Sequence, residues 1–99
     1  MDFLIFEKMY KRVIDLSNHK PYNIYIKAER KTDSLSVYCK KADYETNDII
    51  SETIVNTQFH GSNIEAIAFL QNGTHAIYDS IRNRIVYKEI LEDIMTYIP

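Results

Sequence analysis

From residue 22 to residue 40 the chain alternates apolar and polar side chains with a period of two, interrupted once by the polar run RKTDS. Tyr22, Ile24, Ile26 and Ala28 alternate with Asn23, Tyr25, Lys27 and Glu29, and Leu35, Val37 and Cys39 with Ser36, Tyr38 and Lys40. Successive side chains of a strand point to opposite faces, whereas one face of a helix recurs every three or four residues. Two such runs joined by a short polar turn predict an antiparallel hairpin with one buried face. Its other face carries Tyr25, Lys27, Tyr38 and Lys40. The chain is rich in Ile and contains 8 Tyr against 0 Trp, and both residue types suit half-buried pleated surfaces.

The rest of the chain is read outward from that hairpin. In residues 2–17, Phe3, Phe6, Met9 or Tyr10, Val13 and Leu16 or Ser17 recur at three- and four-residue spacing, which predicts a helix. Lys8, Lys11, Arg12 and Asp15 fall mostly on its polar side, Asp2 favours its positive end, and Pro21 stops it. Residues 49–59 read as a further strand from their β-branched side chains; Asp48 as an N-cap would permit a short helix instead. Ser62 and Glu65 match a capping box that opens a helix with Ile64, Ile67, Ala68 and Leu70 or Gln71 inside. Asn72 and Gly73 would close it. Over residues 74–88 a second hairpin turning near residues 81–83 competes with one long helix from Thr74, in which Ile77, Ile81 and Ile85 lie four apart. We favour the hairpin, followed by a terminal helix over residues 89–97. Arg82 and Arg84 then flank a solvent-facing turn.

These elements predict an α+β fold: an antiparallel sheet of about four or five strands in two hairpins, with two or three helices on one face. Ninety-nine residues suit a single compact domain over residues 1–99, and 2 Gly with 2 Pro leave little room for linkers. The lone Cys39 cannot form an internal disulfide, and the opening residues do not read as a signal peptide. No stretch approaches the roughly 20 apolar residues of a membrane span. A soluble protein of the cytoplasm is expected.

Chemistry finds little foothold. His19, His60, His75 and Cys39 are scattered without metal-ligand spacing, so no metal is expected. Cys39 lies on the apolar face of its strand, where a thiol is inert. Ser80 beside Asp79 lacks an adjacent histidine, although His75 could approach across a sheet. Glu89, Glu92 and Asp93 read as the solvated side of a helix. The run DYETND superficially resembles a calcium loop, but it lacks the central glycine and the closing glutamate. Two glycines, Gly61 and Gly73, are too few for a phosphate-binding loop. Neither catalytic residues, nor a cofactor, nor an enzyme is expected.

Two binding classes remain. Residues 1–41 carry a charge balance of +4 and residues 42–99 one of −6, within a net −2. Lys8, Lys11 and Arg12 on the expected first helix, with exposed Tyr25 and Tyr38 beside Lys27, Arg30, Lys31 and Lys40 on the hairpin, could meet phosphates and stack bases, and Arg82 and Arg84 are further candidate contacts. A sequence pI near 5.9 opposes that, because nucleic-acid binding domains are usually basic. Tyrosine-rich surfaces and a free sheet edge also suit protein contacts, so an interaction or structural module is favoured, acting as a homodimer or with an unknown protein.

In its length, its Ile-, Tyr-, Lys- and Asn-rich usage, its scarce Gly, Pro and Cys, and stretches such as AIYDSIRNRIVYKEI, the chain is similar to small proteins of filamentous and rod-shaped archaeal viruses (lipothrixvirus and rudivirus type). That resemblance implies a viral protein in a hot-acid archaeal host, thermostable and of unknown activity, whose viral or host partner is open and whose place in the virion is not excluded. Asn72–Gly73 departs from the pattern, since Asn is fragile when hot.

Overall fold

A computed structural model describes residues 3–31, 33–58 and 62–97. Asp2, Thr32, Phe59, His60, Gly61 and Ile98 lie outside them, as do the side chains of Phe3, Asp79 and Ser80. The expected hairpin is present as β2 (Pro21–Arg30) and β3 (Ser34–Asp43), in a register that puts Ile26 opposite Cys39 and Ala28 opposite Val37. Ile24, Ile26, Ala28, Leu35, Val37 and Cys39 are all buried, so the alternation did mark one core face. β4 (Ile49–Gln58) is the expected further strand, pairing antiparallel with β3.

The first element is a strand rather than a helix. β1 (Phe3–Ile14) pairs antiparallel with β2 and completes a four-stranded meander of order β1-β2-β3-β4. Among the β1 residues whose burial is described, Phe6, Tyr10 and Val13 are the buried apolar ones. Their spacing of four and three is what suggested a helix, and a β-bulge produces it. Phe6 lies opposite Ala28, Lys8 opposite Ile26 and Tyr10 opposite Ile24, an alternation of period two. The register then slips between Tyr10 and Val13, with Arg12 in the left-handed region at φ 54°, which returns Val13 to the inner face. Lys8, opposite Ile26, lies on the helix side of the strand, where its ammonium reaches Asp93 while its side chain stays 48% exposed.

The helical layer is also rearranged. α1 (Asn63–Ile81) opens with the expected capping box but continues through Asn72 and Gly73. Gly73 serves close approach instead of helix termination: a Cβ there would lie 3.2 Å from Cγ2 of Val37 on β3. The inner stripe is Ala66, Leu70, Thr74, Ile77 and Ile81, while Ile64 is 80% exposed and Ala68 is also exposed. The consistent spacing from Ala66 to Ile81, about four turns, outweighs Ile64 in the first turn in choosing which side faces the sheet.

Residues 74–88 form neither the expected hairpin nor one continuous helix. α1 ends where Arg82 adopts a left-handed conformation (φ 50°, ψ 35°), and α2 (Arg84–Tyr97) begins two residues later. Asn83 separates them. Its Oδ1 accepts from the amides of Ile85 at 3.1 Å and Val86 at 3.2 Å, an N-cap, and its Nδ2 donates to the Ile14 carbonyl at 2.9 Å. The break resets the helical phase, so Ile85 is 72% exposed while Val86, Ile90 and Ile94 are buried. The fold is therefore α+β, with four strands and two helices among the described residues. α1 lies over β3 and β4 and α2 over β1, on the same face of the sheet. Rings of Tyr78 and Tyr87, 5.1 Å apart, help join the helices.

Candidate interaction surface

With both helices on one face, the other face of the sheet is left open among the described residues. The strand registers assign its members in rows. One row runs Glu7, Lys27, Tyr38, Ile54 from β1 to β4; the next runs Met9, Tyr25, Lys40, Glu52. The structure thus brings Tyr25, Lys27, Tyr38 and Lys40 together as the hairpin pattern implied. Glu7, Met9 and Ile54 share the face and were not expected there. Glu7 and Met9 were hidden by the helical misreading of β1, and Ile54 by a register that only pairing defines.

Each lysine on this face lies over a tyrosine and beside a carboxylate. Lys27 Nζ is 5.7 Å from the Tyr38 ring centre and 3.1 Å from Glu29. Lys40 Nζ is 5.9 Å from the Tyr25 ring centre and 4.0 Å from Glu52. The Tyr25 hydroxyl donates to Glu7, and burial together with that bond pushes its ionisation up to about 12. Glu29 holds the Lys27 ammonium above its ordinary value. The outcome is a ribbed surface of rings and aliphatic stems whose charges are matched locally. Met9 and Ile54 are exposed on it, and Met9, Asn23, Tyr25, Lys40, Ala42, Asn47 and Ile49 line a shallow hollow of about 290 Å³.

The other expected contacts lie apart. Arg30 is the last residue of β2, half-buried and opposite Leu35, and Lys31 is exposed in the β2–β3 turn. Arg82 and Arg84 flank the junction of the helices, not a hairpin tip. There Ile14, Leu16 and Ile85 line a groove with Lys11 and Arg12.

Two polar clusters tie the layers together. Asp93 was read as solvated, yet it is half-buried and accepts from Lys8 Nζ at 2.7 Å and the Tyr10 hydroxyl at 2.9 Å. Lys8 above all holds its carboxyl below the usual range, while burial and Asp93 raise the Tyr10 phenol. Asp15 is buried and accepts from the Ser17 amide and hydroxyl and from Lys41. Among the described residues no buried side-chain nitrogen or oxygen is left without a hydrogen-bond partner. Burial pushes the Cys39 thiol up to about 12, so it stays protonated at neutral pH. Among the described residues no three His, Cys, Asp or Glu gather as a metal site. No helix among them is long and apolar enough to cross a membrane.

Comparison of the chain with protein families, curated proteins and solved structures yields no match.

Proposed function

We propose that this chain is a non-enzymatic interaction module that offers the open face of its sheet to a protein partner. The observation that carries this reading is the local matching of charge and ring on that face. Glu7, Glu29 and Glu52 stand among Lys27 and Lys40, so the surface is close to neutral. A base stacking on Tyr25 or Tyr38 would compete with the lysine near that ring and with the carboxylate that lysine faces. Phosphates approaching those lysines would meet carboxylates first. Such a surface instead suits a protein partner, for which Tyr and Met supply large apolar contact area and the charged stems form a polar rim. Nucleic-acid binding through the same lysines is the weaker reading. The resemblance to archaeal viral proteins supplies the setting we propose, the cytoplasm of an infected host.

Affinity capture from such a host, with nuclease treatment, tests this with two variants. Tyr38→Glu places a carboxylate at the centre of the face and should reduce partner retention at least tenfold, as loss of an interface anchor does. The Lys27→Gln, Arg30→Gln pair should retain the partner within about twofold, since rim charges contribute little to affinity. Retention that is abolished by nuclease or by the Gln pair contradicts the reading.

A further inference from the structure

The two edges of the sheet are built differently. β1 has two register slips, left-handed Arg12, the inward-directed Lys8 and a further cation at Lys11. Bulges, edge cations and inward charges are the devices that stop an edge strand from pairing with another chain. β4 has none of them along residues 51–58. It reads IISETIVNTQ, with Glu52 its one charge, no Pro or Gly, and its one irregularity at the end opposite Ala42. Among the described residues no strand lies beyond it, and Ile49, Ile50 and Ile54 are more than half exposed.

We propose that β4 pairs antiparallel with β4 of a second copy, about a two-fold axis at Ile54, to form one continuous sheet. Three features select the second copy. First, the outer row becomes less polar toward β4: Glu7, Lys27, Tyr38, Ile54. Doubling it about Ile54 puts an apolar stretch at the centre and charges at both ends. Secondly, the register is self-compatible. It sets Ile54 against Ile54, Thr53 against Val55, and Glu52 against neutral Asn56, so no like charges face each other. Thirdly, β-branched residues dominate the paired segment, as strand pairing favours. This contact occupies the edge and is independent of what binds the open face.

Light scattering on the full chain at roughly 100 µM should give twice the 11.7 kDa chain mass. Asn56 is exposed, so its substitutions leave the monomer folded. Asn56→Lys, facing Glu52 of the second copy twice by symmetry, should tighten the dimer roughly threefold to thirtyfold, and Asn56→Glu should loosen it by a similar factor. Ile54→Lys should shift the chain to monomer with unchanged far-UV dichroism, while Met9→Lys on the same face at the other edge leaves the dimer intact. A wild-type monomer at that concentration overturns the inference. So do Asn56 variants that move the equilibrium in the same direction, or a dimer that survives Ile54→Lys.

Discussion

Asp15→Ala is expected to destabilise the fold by about 3 kcal/mol, the scale found when one member of a buried ion pair is removed. Asp15 is 3% exposed at the entrance to the β1–β2 turn. Its Oδ1 accepts from the Ser17 amide at 2.8 Å and hydroxyl at 2.7 Å, and its Oδ2 from Lys41 Nζ at 2.9 Å. Lys41 is an inner-face residue of β3, its Nζ 4.0 Å from the Tyr22 ring centre. Alanine would leave that ammonium shielded from water without its counter-charge and open a turn held by two backbone bonds, Asp15 N–H to Lys20 and His19 N–H to Asp15. In a domain of this size the loss corresponds to a fall in Tm of roughly 15 °C.

The same residue sets an acid limit. The Ser17 hydroxyl and amide, then Lys41, hold the Asp15 carboxyl far below its ordinary value. A carboxyl whose pKa is lowered by folding contributes stability that is complete about one pH unit above its unfolded value of about 3.9 and is lost as pH falls through that value toward the lower folded one. Stability of the wild type should therefore fall from about pH 5 downward, and in Asp15→Asn this part of the fall should be absent. Urea melts across that range measure both effects. An Asp15→Ala loss under about 1 kcal/mol would show that the turn does not depend on the pair.

Ile26→Ala is expected to be at least as damaging, at about 3 to 4 kcal/mol. Ile26 is 0% exposed in the middle of β2, opposite Cys39 and Lys8 and beneath the helices, where close packing leaves a truncated side chain as a cavity. Ile64→Ala provides the contrast. The capping-box helix read from sequence places Ile64 inside, but it is 80% exposed, so its truncation should change stability by less than about 0.5 kcal/mol. Equal losses for the two variants would mean that the phase of α1 against the sheet is wrong.

The β2–β3 hairpin was legible because its alternation continues without slip across both strands, and that same alternation defined Tyr25, Lys27, Tyr38 and Lys40 as one face. β1 was illegible for a specific reason. A bulge at Arg12 changes the phase of a period-two pattern, and across Phe6, Tyr10 and Val13 the result is the spacing of a helix. A β1 of inverted type also hides Glu7 and Met9 from the face they occupy. The start of α1 was legible in Ser62 and Glu65, whose mutual bonds are local. Its end was not, because Asn72 and Gly73 resemble a helix stop, whereas Gly73 is small to admit Val37 from a strand over thirty residues earlier. Asn83 was the overlooked signal: an N-cap residue four before Tyr87, within a run taken for a hairpin. Residues whose role depends on a distant partner, such as Lys8 with Asp93 or Asp15 with Lys41, carry no local mark in the sequence.

The surface proposal stands on charges and rings being matched within the open face, and a titration of labelled single-stranded DNA and RNA by fluorescence anisotropy tests it most directly. At about 150 mM salt the expected result is no saturable binding in the micromolar range, unchanged in Lys27→Gln and Lys40→Gln. Saturable binding that weakens steeply between about 50 and 200 mM salt, and is lost in those two variants, would contradict it.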